Sequence, residues 1–202
     1  MTISQKWAIF ANKLLIMTLE IKQAVEVLRQ GGVILYPTDT IWGLGCDATC
    51  ESAVHRIFEI KRRADSKSML VLVDSEAKLQ GYVQEIPDMA WDLMEFSEKP
   101  ITIIYPQAKN LAKNLIAEDG SVGIRVTKEV FSKRLCEAFR RPIVSTSANV
   151  SGVASPSCFS DISSEIRDAV DYVVPLRQEE QMALPSSIIK LEVNGEIKII
   201  RA

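Results

Sequence analysis

Histidine and the common catalytic or metal-binding motifs are scarce in this sequence. It has a single histidine, His55, no HExxH pair, and no Ser, His and Asp set at a spacing that suggests a hydrolase. It also lacks a GKS or GKT segment, which excludes a lysine-bearing phosphate loop. The sequence therefore offers few groups for acid–base or nucleophilic catalysis. Reactions at phosphorus need fewer such groups, because they depend mainly on positioning and charge.

An excess of charge of either sign is also missing. The 202 residues include 24 basic and 26 acidic side chains, for a formal net charge of −2, so no overall attraction to nucleic acid or to an anionic membrane is expected. The apolar N-terminal stretch is interrupted by Asn12 and Lys13. It makes a poor secretory leader and is too short for a membrane span. We expect a cytoplasmic protein without membrane contact.

The four cysteines fit a reducing compartment better than a disulfide framework. Cys46, Cys50 and His55 offer three zinc-type donors, but the spacing is wide and a fourth donor is lacking. Buried thiols and a histidine on a helix surface are the favoured interpretation, and no metal site is predicted.

Helical and strand patterns alternate through most of the chain, which predicts a single α/β domain. We expect helices from about Thr18 and from Glu51, a helix capped by Thr127, and a C-terminal hairpin at Asn194-Gly195. The loop TDTIWGLGCDAT is expected to join a strand to a helix. The predicted fold is a twisted mixed sheet, parallel and antiparallel, with flanking helices over residues 17–202, preceded by an extension over residues 1–16.

The turn IKRRADSKSML concentrates positive charge between a helix and a buried strand. Lys61, Arg62, Arg63 and Lys67 are consistent with cations at a helix C-terminus, and also with a cradle for a polyphosphate. The turn by itself does not separate these two interpretations.

The segment WGLGCDA partly matches a dinucleotide-binding fingerprint through Gly43, Gly45 and Ala48. Six residues separate these glycines from the preceding strand, whereas the fingerprint turns directly out of it. A nicotinamide or flavin fold is therefore disfavoured.

Polar residues follow two predicted strands at the point where each strand ends. Thr38, Asp39 and Thr40 follow the first, and Ser145, Thr146, Ser147 and Asn149 end the other. Each set alone is typical of turns. Two sets in one α/β sheet favour a shared ligand crevice at the strand ends.

Together these segments resemble the YrdC/TsaC family of threonylcarbamoyl-AMP synthases. The resemblance rests on LYPTDTIWGLGCDA, IKRRADSK, SVGIRV, STSANVSGVASP and PSSIIKL, in that order, from about Leu19 to Arg201. It implies a YrdC-like fold and synthesis of L-threonylcarbamoyladenylate from L-threonine, bicarbonate and ATP, with release of pyrophosphate. The product would serve tRNA modification through a downstream threonylcarbamoyl-transferase complex, Mg²⁺ would arrive with ATP, and the chain length matches the short form of the family.

The resemblance also implies roles for individual residues. Lys61, Arg63, Ser147 and Asn149 would bind the ATP phosphates and stabilise charge during adenylyl transfer. Thr40, Arg125 and Ser186 would bind threonine, and Arg125 would pair with its carboxylate. Four further residues would lie along the nucleotide: Lys67, Ser121, Ser155 and Arg201.

Three positions depart from the family pattern. Trp42 stands where Tyr is common, and Ala64 and Ser68 replace frequent prolines, which suggests a more mobile basic turn. The main rival hypothesis is a non-catalytic RNA-binding module that uses the same basic turn, with tRNA as a direct partner. Near-neutral charge and few aromatic residues weigh against it. A carbamoyl-handling relative and a sugar-phosphate enzyme of related fold are further alternatives.

Overall fold

The structure, a computed structural model, describes residues 2–62, 69–182, 185–192 and 194–202. Arg63, Ala64, Lys67 and Ser68, which the sequence analysis singled out, lie outside the described residues.

The described residues form five α-helices and nine strands. The helices are α1 (Ile3–Arg29), α2 (Glu51–Ile60), α3 (Met89–Phe96), α4 (Val130–Phe139) and α5 (Ser164–Ala169). The strands are β1 (Ile34–Tyr36), β2 (Gly43–Gly45), β3 (Leu70–Val73), β4 (Ile101–Tyr105), β5 (Val122–Val126), β6 (Ile143–Ser147), β7 (Tyr172–Val173), β8 (Ser187–Leu191) and β9 (Ile197–Arg201).

The first helix is longer than the sequence predicts. It begins at Ile3 rather than near Thr18, because no glycine or proline interrupts residues 3–29 and the N-terminus is capped. The Thr2 hydroxyl accepts a hydrogen bond from the Gln5 amide, and the Gln5 side chain accepts one from the Thr2 amide. The division of the chain after residue 16 stays a prediction. Within the described residues, no helix has the length and apolar character needed to cross a membrane.

Helix α4 is capped by a different residue from the one predicted. The carboxylate of Glu129 accepts hydrogen bonds from the amides of Phe131 (3.0 Å) and Ser132 (2.7 Å). Thr127 instead continues the β5 pairing, since its amide donates to Val73 O at 3.0 Å. The prediction of Thr127 as the cap is therefore wrong, because the helix begins two residues later than Thr127 would require.

The nine strands form one mixed sheet, in the order β7-β1-β2-β6-β3-β5-β4-β8-β9. Three neighbouring pairs are parallel, namely β1 with β7, β3 with β5, and β4 with β8, and the others are antiparallel. The predicted C-terminal hairpin is confirmed as β8 and β9, and Gly195 has the positive φ of +83° that the turn requires. The single α/β domain with a mixed sheet is likewise confirmed.

The glycine-rich loop contains a strand that the sequence analysis did not predict. Gly43–Gly45 (β2) pairs antiparallel with β1 on one side and with β6 on the other. A Cβ atom on Gly45 would lie 2.7 Å from Cε1 of Tyr36 and 3.0 Å from Val144 O, so glycine is needed for the close approach of the neighbouring strands. These glycines serve sheet packing and do not form a dinucleotide-binding turn.

Each face of the sheet has its own hydrophobic core. On one face α1 and α4 pack against alternate strand residues such as Ile34, Leu72 and Ile143. The larger core, on the opposite face, includes Val71, Ile124 and residues of α2. The α1 and α4 helices cover only part of their face. The strand positions beyond them carry small and polar side chains and leave a cavity.

Candidate active site

The cavity has a volume of about 250 Å³ and extends along one face of the sheet from β2 to β9. Strand alternation selects its lining: Gly123 and Arg125 of β5 face it, whereas Val122 and Ile124 belong to the core on the opposite face. Eight of the ten polar side chains in the described lining carry hydroxyl groups: Thr38, Thr40, Thr102, Ser145, Thr146, Ser147, Ser155 and Ser186. Of the described residues that line it, none is Asp or Glu.

Two arginines supply the positive charge in the described lining. Arg125 is almost completely buried, and its Nη1 donates to the hydroxyl of Thr40 at 3.2 Å. Arg201 donates through Nε to Ser186 O at 2.7 Å. Burial, together with the neighbouring charge of Arg125, lowers the pKa of Arg201. The two guanidinium groups therefore lie close enough to repel each other in one cavity. Such a pair is suited to binding an anion.

Lys61 lies beneath the end of β6. Its side chain is 2% exposed, and its ammonium donates hydrogen bonds to the carbonyl oxygens of Ser147 (2.5 Å) and Asn149 (2.7 Å). The amide of Ser151 in turn donates to Lys61 O at 2.9 Å. Lys61 therefore joins the end of α2 to the polar segment that follows β6, and the two segments selected from the sequence meet here.

The side chain of Asn149 shapes the loop after β6. Its amide nitrogen donates to Val150 O (3.1 Å) and to Val153 O (2.6 Å), while Oδ1 is buried and has no partner in the part of the chain that the structure describes. A buried amide oxygen without a partner is costly, and a bound ligand or water would satisfy it.

The structure brings most of the described candidate residues together. The cavity lining includes Thr40, Arg125, Ser147, Ser155, Ser186 and Arg201, and Lys61 and Asn149 border it through the β6 segment. Ser121 is not among the lining residues, and its hydroxyl donates to Asp119 at 2.6 Å. The positions of Arg63 and Lys67 lie outside the described residues.

Two residues of the site were not predicted from the sequence. Thr102 of β4 shares a hydrogen bond of 2.9 Å with the hydroxyl of Ser186. A threonine inside an otherwise apolar strand was the only indication available for it. Asp39 lies 3.3 Å from Arg125 through its Oδ1, although the sequence had marked it only as one of several polar residues at a strand end.

Trp42, one of the departures from the family pattern, is fully buried beside this site. Its ring packs against Phe159 with centroids 5.0 Å apart, and its carbonyl accepts a hydrogen bond from Ala148 at 3.0 Å. The larger aromatic ring is thus accommodated in the core, next to the segment that follows β6.

The zinc alternative finds no support from the positions of its three donors. Among the described residues, no three His, Cys, Asp or Glu side chains are grouped as metal ligands. Cys46 is buried, Cys50 contacts the Ser52 hydroxyl at 3.2 Å, and the exposed His55 lies 3.5 Å from Glu59.

The mixed α/β sheet carries on one face a hydroxyl-rich cavity with two guanidinium groups, an arrangement suited to a small anionic molecule. Residues 26–202 match the model of the Sua5/YciO/YrdC family, which carries the description telomere recombination, and the chain belongs to this family. The family membership inferred from the sequence motifs is thereby confirmed.

Named relatives agree with this assignment. The chain is 37% identical over 182 residues to a threonylcarbamoyl-AMP synthase of Pseudoalteromonas translucida, covering 88% of this chain and 95% of that protein. The crystal structure of E. coli YciO superposes with a TM-score of 0.78 at 28% identity, over 92% of this chain and 89% of that one.

A further solved structure contains an amino acid. P. abyssi Sua5 in complex with L-threonine matches with a TM-score of 0.76 at 27% identity, over 85% of this chain and 50% of that one. The present chain therefore spans about half the length of the Sua5 chain.

Proposed function

We propose that this protein is a threonylcarbamoyl-AMP synthase, which converts L-threonine, bicarbonate and ATP into L-threonylcarbamoyladenylate and pyrophosphate. The near full-length similarity to a protein of that name supports the proposal. The observation that carries it is the pair of guanidinium groups, Arg125 and Arg201, in a cavity lined otherwise mostly by hydroxyl and apolar groups.

The substrate's carboxylate belongs at Arg125. This side chain is 3% exposed and borders the cavity beside Thr40, and Ser186 lines the same cavity with its hydroxyl 3.4 Å from Arg201. A planar guanidinium pairs with a carboxylate through two parallel hydrogen bonds. The threonine complex of Sua5 supports an amino acid as the ligand.

The phosphates belong near the end of β6. Ser147 lines the cavity, Asn149 follows it with a buried unpaired Oδ1, and Lys61 anchors the backbone at both residues. Arg63 would add the charge that stabilises the reacting phosphate, with Lys67 and Ser155 further along the nucleotide. Because Lys61 is engaged with backbone carbonyls, its contribution includes positioning of the β6 end, and Mg²⁺ would arrive on the ATP phosphates rather than on protein carboxylates.

The reaction needs few proton-transferring groups from the protein. The amine nitrogen of threonine forms a bond to the carbon of bicarbonate with loss of water, giving a carbamate. A carbamate oxygen then bonds to the α-phosphorus of ATP, and the bond from that phosphorus to pyrophosphate breaks. Enclosure between the sheet and the loop after β6 would protect the resulting mixed anhydride from water.

Pyrophosphate release provides the test. Release from ATP should require both threonine and bicarbonate, and mass spectrometry should detect a product containing threonine, one carbon from bicarbonate, and AMP. Release that is independent of threonine would contradict the proposal. Tight, salt-dependent RNA binding without turnover would support the RNA-binding module instead, although Arg125 and Lys61 are too buried for a nucleic-acid footprint.

In this proposal a different protein uses the product. We propose a cytoplasmic protein whose product is consumed by a transferase complex that modifies tRNA. Addition of such a complex and tRNA to the assay should convert the adenylate into modified tRNA.

A further inference from the structure

Asp39 lies at the boundary between two cavities on opposite faces of the sheet. The second cavity, of about 180 Å³, is lined by alternate residues of β4 and β5 such as Ile103 and Ile124, and by Asp39. The Asp39 side chain is 13% exposed and reaches Arg125, which lines the first cavity. Asp39 therefore connects the active-site guanidinium to the opposite face of the sheet.

One nitrogen of Arg125, Nη1, lies close to two protein oxygens. Nη1 donates to the Thr40 hydroxyl at 3.2 Å and lies 3.3 Å from Oδ1 of Asp39. Oδ1 of Asp39 accepts no aligned hydrogen bond within the described residues, so its attraction to Arg125 comes from charge. The Nε of Arg125 is buried and has no partner in the same part of the chain. Because Arg125 also lines the first cavity, its guanidinium has hydrogen-bonding capacity left for a ligand there.

We propose that Asp39 is a positioning residue for the amino-acid substrate. By keeping Nη1 on the protein side, Asp39 and Thr40 fix the orientation of the Arg125 guanidinium and leave its remaining donors for the substrate carboxylate. The inference rests on the proposed function, in which Arg125 binds the carboxylate of threonine.

The loop that carries Asp39 does not depend on the Asp39 side chain. Arg177 donates to Thr38 O at 3.0 Å, and the Thr38 hydroxyl donates to Ile41 O at 2.7 Å and accepts from the Thr40 amide at 3.1 Å. Neutralising Asp39 should therefore leave the loop in place and remove only the charge beside Arg125. This separates positioning from a structural role.

Burial raises the pKa of Asp39, and the charge of Arg125 offsets this only in part. The folded protein therefore bears a cost for keeping the carboxylate ionised, which is unusual for a group retained for stability. Protonation removes the attraction for Nη1, so the KM for threonine should rise as the pH falls through this raised pKa. The other charged groups that face Asp39 are those beside it and those lining the second cavity: Glu129, Arg177, Glu76, Glu98, Lys99 and Lys128.

Steady-state kinetics of Asp39→Asn test the inference. The KM for threonine should rise roughly tenfold or more while the KM for ATP stays within about twofold, because only the carboxylate anchor is affected. The acid rise in the KM for threonine should disappear in Asp39→Asn and return in Asp39→Glu. The melting temperature without substrate should be unchanged.

Asp47→Asn is the matched control. Asp47 is also a largely buried carboxylate, 4% exposed against 13% for Asp39, paired with Arg141 at 2.8 Å and absent from both cavity linings. Its substitution should leave both KM values at the wild-type level. The same rise in both variants would show a general effect of removing a buried charge and would overturn the inference.

Three other results would overturn it. They are an unchanged KM for threonine in Asp39→Asn, an equal rise in both KM values, and failure of Asp39→Asn to fold, since the loop is expected to hold without this side chain. If instead the wild-type protein releases no threonine-dependent pyrophosphate, the proposed function itself fails. A wild-type enzyme that behaves as proposed, beside an Asp39→Asn variant with normal kinetics, contradicts only the role of Asp39.

Discussion

The ammonium of Lys61 donates a hydrogen bond of 2.7 Å to the carbonyl oxygen of Asn149, which lies 88 residues further along the chain. A second bond, to Ser147 O, completes the link. Lys61, the first residue of the basic turn, and the hydroxyl-rich strand end, which were separate motifs in the sequence, thus meet in the structure. Since the link is buried, it contributes to the stability of the fold as well as to the shape of the cavity.

Lys61→Met should destabilise the protein as well as inactivate it. The substitution removes the ammonium donor from two partly buried carbonyls. The Ser147 carbonyl keeps the Asn149 amide at 2.9 Å, and a carbonyl left unsatisfied costs about 1–3 kcal/mol. Urea unfolding should show a reduced midpoint, and pyrophosphate release should fall by more than an order of magnitude. Lys133→Met, on the exposed side of α4, is the control and should change stability by no more than about 0.5 kcal/mol. A fully stable Lys61→Met protein would contradict the anchoring role.

Substitution of the two neighbouring arginines of the basic turn should have sharply different effects on turnover. Arg62 is exposed and forms an ion pair with Glu165 at 2.6 Å, so Arg62→Ala should cost at most about 1 kcal/mol of stability and little activity. Arg63, which matches the family motif, should be needed for turnover, and Arg63→Ala should reduce kcat by about 100-fold or more. Equal losses in the two variants would indicate a diffuse basic patch.

Gly45→Ala should destabilise the sheet. The new methyl group would meet the Tyr36 ring at 2.7 Å and the Val144 carbonyl at 3.0 Å, and such overpacking costs about 1–3 kcal/mol. Gly81→Ala is the control, because a Cβ there meets nothing within 4 Å. Thermal unfolding of the two variants side by side is the measurement, and equal melting temperatures would contradict the close strand approach at β2.

Acid should weaken one ion pair near the edge of the sheet. A hydrogen bond from Lys190, together with hydrogen bonds from the side chain and backbone of Ser121, lowers the pKa of Asp119 from 3.8 to about 2. Because the folded state holds this proton less tightly, the stabilisation is complete above the ordinary pKa and is lost as the pH falls from about 4 to 2. The group is half exposed, so the effect should stay below about 1 kcal/mol.

Comparison of wild type with Asp119→Asn isolates this effect. The difference in free energy of unfolding between the two proteins should shrink between pH 4 and pH 2, where Asp119 becomes protonated. A difference that stays constant over that range would show that Lys190 does not lower the pKa of Asp119.

The four cysteines should divide into two classes. Burial raises the pKa of the Cys46 and Cys136 thiols, so these should resist alkylation in the native protein. Cys50 and Cys158 are partly exposed and should react. Peptide mapping after iodoacetamide treatment at about pH 8 should find two labelled sites, and two more only after denaturation. Rapid native labelling of Cys46 would contradict its burial.

Much of the fold could be predicted from local patterns. The apolar runs at Leu70–Val73 and Val122–Val126 are strands, and Asn194-Gly195 lies in a hairpin turn, because these signals need no information from distant residues. Strand β2 escaped prediction since its glycines have no intrinsic strand preference and pair only because Tyr36 and Val144 lie alongside. The cap at Glu129 was missed because glutamate is not a usual N-cap residue, whereas Thr127, two positions earlier, is one.

The sequence by itself determined the family, the mixed α/β sheet and most of the polar groups, since motif order and periodicity are properties of the chain read in one dimension. Only the tertiary structure decided which of those groups meet: that Lys61 engages backbone carbonyls, that Ser121 is tied to Asp119, and that Asp39 faces Arg125. The physical reason is that strand order and side-chain alternation bring together residues from distant parts of the chain. Hydrogen bonds and charge then assign each polar atom a partner that no spacing in the sequence specifies.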